Sequence, residues 1–361
     1  MKISLITIHV GNNFGSVLQT IATCKLFEDL GYNVTVVNYR PDRVTFKNYI
    51  IGAFSSVPKF VWRIIFLPIY FKNRHIYNSY LNKYCHLSKP IYSNQTFSEL
   101  CPHADVYVTG SDQVWNSKHN QGIDNRYFFA GVKGPKIALS SSIGRTDVDE
   151  NEKALFYKFL SHYTAISVRE ESAVKLLESI GLSCTQLLDP TLLISKEEWG
   201  NYMSPRIVKG RYVLLYLPYN IINKQIIIES AKKLAHDMDL KIVSFSWTIK
   251  NESYADKTIK FANPGDFLSL FYYADYVITN SFHGTAFSIN LNKQFYVFQP
   301  SEFSTRIDSI LNLTHLKNRL LINVLGDDNL TLVEYDDVNA ILESERNRCM
   351  DFLKTALQRC I

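Results

Sequence analysis

The segment Ile278-Thr279-Asn280-Ser281-Phe282-His283-Gly284-Thr285 sets one histidine among small polar residues, after an apolar run and before another. Imidazole titrates near neutrality, so a histidine in such a loop suits general acid work. A histidine that only satisfies a core hydrogen bond would look the same. Of the nine histidines, His283 is the one that the pattern places in a small-polar loop at a strand end. A second stretch, Thr109-Gly110-Ser111-Asp112-Gln113-Val114-Trp115-Asn116, directly follows Asp105-Val106-Tyr107-Val108. Polar, small and aromatic residues in a row there suit ligand binding; an Asx turn over a packed tryptophan is the plain alternative. The third, Gly11-Asn12-Asn13-Phe14-Gly15-Ser16, has glycines that admit a ligand and opens a helix whose N–H groups favour an anion. It is neither G-x-G-x-x-G nor G-x-x-x-x-G-K-[ST], so dinucleotide and Walker-type readings lose support. Arg169, in Ser167-Val168-Arg169-Glu170-Glu171, stands between a strand and a helix start. Its charge there needs an anion, either a neighbouring glutamate or a ligand carboxylate or phosphate.

Other signals carry less. Asp147-Val148-Asp149 and Asp237-Met238-Asp239 have the D-x-D form that some sugar transferases use for a metal. The first reads better as an N-cap and the second as a helix end. There is no H-E-x-x-H, no G-x-S-x-G elbow and no C-x-x-C among the six cysteines. Neither a metal site nor a disulfide framework is expected.

The elements that must position these loops alternate strand and helix. Ile3–Ile8, Val34–Val37, Val106–Val108, Ile137–Ser140, Ala165–Val168 and Thr185–Leu188 are the strand candidates of a first half. Helical patterns over Ser16–Leu30, Glu150–Leu160 and Glu170–Ile180 separate them, which gives βαβ units and a parallel sheet. A second series runs through strands Tyr212–Leu217, Lys241–Phe245, Tyr276–Thr279 and Gln294–Phe298, with helices Lys224–His236, Asp266–Tyr272 and Gly284–Leu291. All three loops then fall at carboxyl ends of strands, where open α/β sheets bind ligands. The division expected is residues 1–195, residues 196–337 and a C-terminal helix within 338–361 that folds back toward the first domain.

The chain has 361 residues, which favours two domains, and 46% hydrophobic residues, which excludes disorder. A net charge of +5 suits anionic substrates or a membrane surface, and without a dense Lys/Arg run it does not argue for nucleic acid. The apolar run at the N-terminus is too short for a signal peptide, and no stretch is long enough to span a bilayer, so a soluble cytoplasmic protein is expected. One insertion, residues 42–95, breaks the rhythm: Phe46, Tyr49, Phe54, Phe60, Trp62, Phe66, Tyr70 and Phe71 alternate with Lys47, Lys59, Arg63, Lys72 and Arg74. It is either a helical piece with its rings in the core or an interfacial segment touching the inner face of a membrane.

Together the motifs resemble the polysaccharide pyruvyl transferase family. The matching stretches are Asn13-Phe14-Gly15-Ser16, Asn38-Tyr39-Arg40-Pro41, Gly110 to Asn116, Ser167-Val168-Arg169-Glu170, Leu188-Asp189-Pro190-Thr191, Asp266-Phe267-Leu268, Asn280 to Thr285, Arg306 and Asn318-Arg319. The resemblance implies a GT-B-like α/β fold, two Rossmann-like domains with parallel sheets facing a central cleft. It implies phosphoenolpyruvate as donor and co-substrate, no other cofactor, and a sugar diol of a polysaccharide or its polyprenyl-linked precursor as acceptor. The product is a cyclic pyruvate ketal, in exopolysaccharide or capsule synthesis, with release of phosphate. Mapped on this chain, His283 and Arg169 are the catalytic candidates. Gly15, Ser16, Asn280, Ser281, Gly284, Thr285 and Arg306 would bind the donor, and Asn12, Asn13, Ser111, Asp112, Gln113 and Trp115 the acceptor. Some members carry an arginine where this chain has Ser281, so Arg306, Lys293 or loop N–H groups must take over its phosphate contact. A GT-B glycosyltransferase using a nucleotide sugar, or a non-catalytic sugar-binding protein of polysaccharide assembly, are the competing classes.

Overall fold

The computed structural model describes residues 1–51, 61, 63–219, 224–300, 305–326 and 331–360. Two compact units emerge, Met1–Pro190 with Asn347–Ile361, and Thr191–Arg346. Each is built on a six-stranded sheet whose strand pairs are all parallel.

The first sheet joins β1 (Lys2–Ile6), β2 (Asn33–Val36), β5 (Val106–Thr109), β6 (Lys136–Ser141), β7 (Ala165–Val168) and β8 (Thr185–Gln186) in the order β2-β1-β5-β6-β7-β8. A small pair, β3 (Tyr39–Arg40) and β4 (Ile91–Tyr92), stands apart from it. β1 and β5 read as apolar runs because helices cover both faces of a parallel sheet; all four residues of β5 are buried. The helix Phe14–Asp29 begins two residues before the expected start because Asn13 Oδ1 accepts from Ser16 N at 3.2 Å and caps it. Almost every residue from Phe14 to Phe27 is buried, which explains a sequence apolar or small on every side. Asp149 closes a capping box with Glu152 at the head of Glu150–Leu160, and Asp237 ends Lys224–Asp237, as expected of the two D-x-D stretches.

The second sheet runs β11-β10-β9-β12-β13-β14, from β9 (Tyr212–Tyr216), β10 (Lys241–Ser246), β11 (Lys257–Lys260), β12 (Tyr276–Thr279), β13 (Gln294–Phe298) and β14 (Leu320–Leu321). The helix after β11 starts at Pro264, earlier than its apolar pattern suggests, because Asn263 caps it and Asp266 completes the box. The helix after β12 is Phe282–Asn290, capped by Ser281, so His283 is a first-turn helical residue and not a loop residue. In each sheet the order reverses once, between β1 and β5 and between β9 and β12. Ligands of open α/β sheets bind beside such a reversal, outside the carboxyl ends of the strands. The loops after β1, β5 and β12 all flank one.

Candidate active site

In the first unit, one buried guanidinium ties the loop after β5 to the segments that follow β7 and β8. Arg169 Nη1 donates to Asp189 Oδ2 at 2.6 Å and lies 3.4 Å from Ser111 Oγ, while Nη2 reaches Asp112 Oδ1 at 3.5 Å. Its Nε is 3.9 Å from Glu170 Oε2. Burial alone would lower the arginine's pKa, but the charges of Asp189, Asp112 and Glu170 outweigh it and raise it. The carboxylates are held in turn. Ser111 Oγ donates to Asp189 at 2.8 Å, and Ser16 Oγ donates to Asp112 Oδ2 at 2.6 Å. Glu170 Oε1 accepts from Ser142 Oγ, Ile143 N and Gly144 N. Asp112 itself adopts φ +73°, strain that persists only because these contacts fix it.

This network gives the anion that Arg169 needs, and its closest partner is Asp189 rather than a neighbouring glutamate. The guanidinium therefore positions Asp112 and Ser111; it does not present its fork to an open surface. Trp115 requires a correction as an acceptor-binding ring: it stacks on Phe128 at 5.5 Å inside the hydrophobic core and is 1% exposed, so no face of the indole is left for a sugar. Ser111, Asp112 and Gln113 are likewise buried, with Gln113 Oε1 accepting from Asn116 Nδ2 at 2.6 Å. Gly15 and Ser16 are buried, Asn13 is half-buried as the cap, and Asn12 is exposed. Of the acceptor candidates, Asn12 is thus the side chain that offers itself most openly.

Sequence reasoning passed over His9. It lies just beyond β1 with Nδ1 3.1 Å from Thr7 O and Nε2 3.3 Å from Asn38 Oδ1. Burial lowers its pKa, the Thr7 and Asn38 oxygens pull it up, and the charge of Arg40 lowers it again. His9 was legible in Thr7-Ile8-His9-Val10-Gly11, directly after the expected strand Ile3–Ile8. His283 is consequently not the one histidine at a strand end.

In the second unit, the segment after β12 is built around close approach. A Cβ on Gly284 would stand 2.2 Å from Thr279 Oγ1, so only glycine lets the helix start pack on the strand end. Thr279 Oγ1 donates to Tyr216 O at 2.7 Å and accepts from Ser281 N at 3.1 Å, while Asn280 Nδ2 donates to Tyr219 O at 3.0 Å. These bonds bridge the β9–β12 reversal. Ser281 Oγ accepts from Gly284 N, and Thr285 Oγ1 donates to Ser281 O at 2.9 Å. The Phe282 ring meets the His283 ring edge-on at 5.2 Å, and the Arg306 guanidinium lies 5.7 Å from the Phe282 centroid. His283 is 3% exposed and Arg306 2%. A histidine and an arginine that are far apart in sequence thus share one phenylalanine, at the sheet edge where a ligand would bind.

Lys293, a substitute for the missing arginine, does not join them. It precedes β13 and so lies at the opposite edge of the sheet, donating to the carbonyls of Tyr272 and Ala274. Burial, then the charge of Lys196, brings its pKa down to about 8.

Comparison with known proteins gives a consistent picture. The family described as polysaccharide pyruvyl transferase matches residues 13–302. Among curated proteins nothing matches the sequence. A UDP-GlcNAc 2-epimerase from Methanocaldococcus jannaschii, solved with UDP-GlcNAc and UDP, superposes with a TM-score of 0.50 at 14% identity, covering 99% of each chain. The UDP-GlcNAc 2-epimerase from Neisseria meningitidis has a TM-score of 0.50 at 10% identity over 99% of this chain and 100% of its own. Both likenesses concern the fold, which is GT-B-like.

Proposed function

The chain belongs to the polysaccharide pyruvyl transferase family, and from that premise we propose that it moves the carboxyethylidene unit of phosphoenolpyruvate onto a sugar diol as a cyclic ketal. The family match along residues 13–302 carries this reading. The chemistry asks for a proton donor at the methylene carbon and cations for carboxylate and phosphate. His283 delivers the proton to that carbon, leaving an oxocarbenium-like centre at C2. A sugar hydroxyl adds there and releases its proton, the C2–O bond to phosphate breaks, and a second hydroxyl closes the ring with loss of its own proton. Arg306, with the N–H groups of the Ser281-capped helix start, supports the donor's anionic groups. Arg169 acts indirectly, by holding Asp112 and Ser111.

No cofactor beyond the phosphoenolpyruvate co-substrate is invoked. The purified chain with phosphoenolpyruvate and a panel of sugar acceptors should release inorganic phosphate in step with ketal formation. A chain that ignores phosphoenolpyruvate but consumes a nucleotide sugar would overturn the reading.

The acceptor in this proposal is borne on a polyprenyl lipid at the inner face of a membrane. Its support is the insertion, where Phe46, Val61, Ile64, Ile65 and Phe71 are exposed near Arg63 and Lys72. Lys59 and Trp62 of the same expected surface lie outside the described residues. No helix among the described residues is long and apolar enough to cross a membrane, so contact would be peripheral. Neutralising Arg63 and Lys72 together should weaken binding to anionic vesicles at low salt, by about 1 kcal/mol for each charge near the surface. Wild-type protein that ignores such vesicles would refute the docking and leave the rings as packing.

A further inference from the structure

The motif residue Arg40 has no part in the chemistry above, yet its surroundings are those of a binding site. Arg40 ends β3, and Arg74 lies on the helix Leu67–Tyr84; both line a cavity of about 190 Å³ together with Asn12, Tyr70, Tyr77 and Asn78. Tyr70, Arg74, Tyr77 and Asn78 follow helical spacing, so one stripe of that helix forms one wall. Arg74 Nη1 donates to Tyr70 Oη at 2.8 Å and to Val44 O at 3.4 Å. Among the described residues neither guanidinium has a carboxylate partner, and that of Arg40 makes no hydrogen bond. Burial first, then the Arg74 charge beside it, lowers Arg40's pKa. Half-buried guanidinium groups are usually paired, and two sharing a cavity repel unless an anion lies between them. The cavity has several times the roughly 30 Å³ that a water molecule takes in the liquid.

We infer that the Arg40–Arg74 cavity binds the phosphate of a phosphorylated acceptor, a sugar linked at its anomeric position to a phosphate or diphosphate. This rests on the ketal-transfer reading, which gives the donor to the His283 segment and leaves the loop of Gly11 and Asn12 to the acceptor. Arg forks suit phosphate oxygens, and Asn12 and Asn78 supply neutral donors around them. The lining ring of Tyr70 contacts Phe46 and Phe71 at centroid distances of 6.1 and 5.4 Å, and both phenylalanines are exposed. An apolar chain attached to the phosphate would therefore leave the cavity along exposed rings.

Calorimetry with inorganic pyrophosphate as probe, run with phosphoenolpyruvate saturating the donor site and no acceptor present, reads the cavity without turnover. Wild type should bind it, and Arg40→Gln and Arg74→Gln should each weaken binding at least about tenfold, with Arg40→Lys recovering part. Circular dichroism establishes that the variants are folded. In turnover, the preference for a phosphorylated over a neutral acceptor, as a ratio of kcat/KM, should fall by a similar factor in both glutamine variants. A short-chain prenyl diphosphate sugar and a soluble sugar phosphate separate the two sources, the exposed rings favouring the first. Pyrophosphate binding that ignores both arginines, or a variant that raises the KM for phosphoenolpyruvate and leaves acceptor preference intact, overturns the inference. Binding that needs both arginines, in a chain that never releases phosphate from phosphoenolpyruvate, keeps the cavity and overturns the ketal-transfer reading instead.

Discussion

His283→Gln should lower kcat by about 10²–10⁴, the range lost with a positioned proton donor, because an amide cannot deliver a proton to carbon. The substitution loses the ring's edge-on contact with Phe282 but spares what shapes the helix start. The residue occupies the first turn of Phe282–Asn290, whose cap is Ser281 and whose close packing depends on Gly284, and neither contact involves the imidazole. Unfolding temperature should therefore move little while turnover collapses. His283→Ala should be equally inactive. The competing role is a hydrogen bond to the departing phosphate, which glutamine can make in part. If His283→Gln keeps more than about a tenth of wild-type kcat, the ring is a phosphate contact and the proton comes from elsewhere. His9 is no ready substitute, since Thr7 and Asn38 already face both its ring nitrogens.

The position of His283 was legible because β12 is a short apolar run, Tyr276-Val277-Ile278-Thr279, broken by Asn280-Ser281, and buried parallel strands write themselves that way. The same holds for β1, β5, β7 and β9. What failed to register was short or non-local. β14 and the β3–β4 pair have two residues per strand, too few for a period, and β11 is an edge strand, Lys-Thr-Ile-Lys, that carries charge where edges usually do. Helix starts were set late, at Ser16, Asp266 and Gly284, because the apolar pattern begins after the capping turn; the caps Asn13, Asn263 and Ser281 set the true start. Strand order depends on crossovers that no local pattern encodes, so the two sheet reversals came only from the structure. Trp115 was misjudged because an aromatic in a polar stretch looks the same whether it stacks on a sugar or on Phe128.

The Arg169–Asp189 pair is the sharpest case of such a non-local contact, and it changes what removal of Arg169 should do. A guanidinium that gripped the donor would, on Arg169→Lys, raise the KM for phosphoenolpyruvate and leave stability alone. Here the side chain is 1% exposed and faces Asp189, Asp112 and Glu170. Arg169→Met leaves buried carboxylates uncompensated and should destabilise the first unit by about 3–5 kcal/mol, the usual result of removing one partner of a buried pair. Adding Asp189→Asn should restore part of that loss, because the most closely paired charge is then gone with its partner, and the coupling from the double-mutant cycle should be of order 0.5–3 kcal/mol. Arg169→Lys should fall between, since one ammonium cannot serve three carboxylates at once. Its effect on catalysis should appear in kcat, through misplaced Asp112 and Ser111, with the KM values for donor and acceptor moving together. Denaturant unfolding and steady-state kinetics on Arg169→Met, Asp189→Asn, their double variant and Arg169→Lys decide the matter. Unchanged stability with a selective rise in the donor KM would return Arg169 to the donor, and would mean that Asp189 gives way when the ligand arrives.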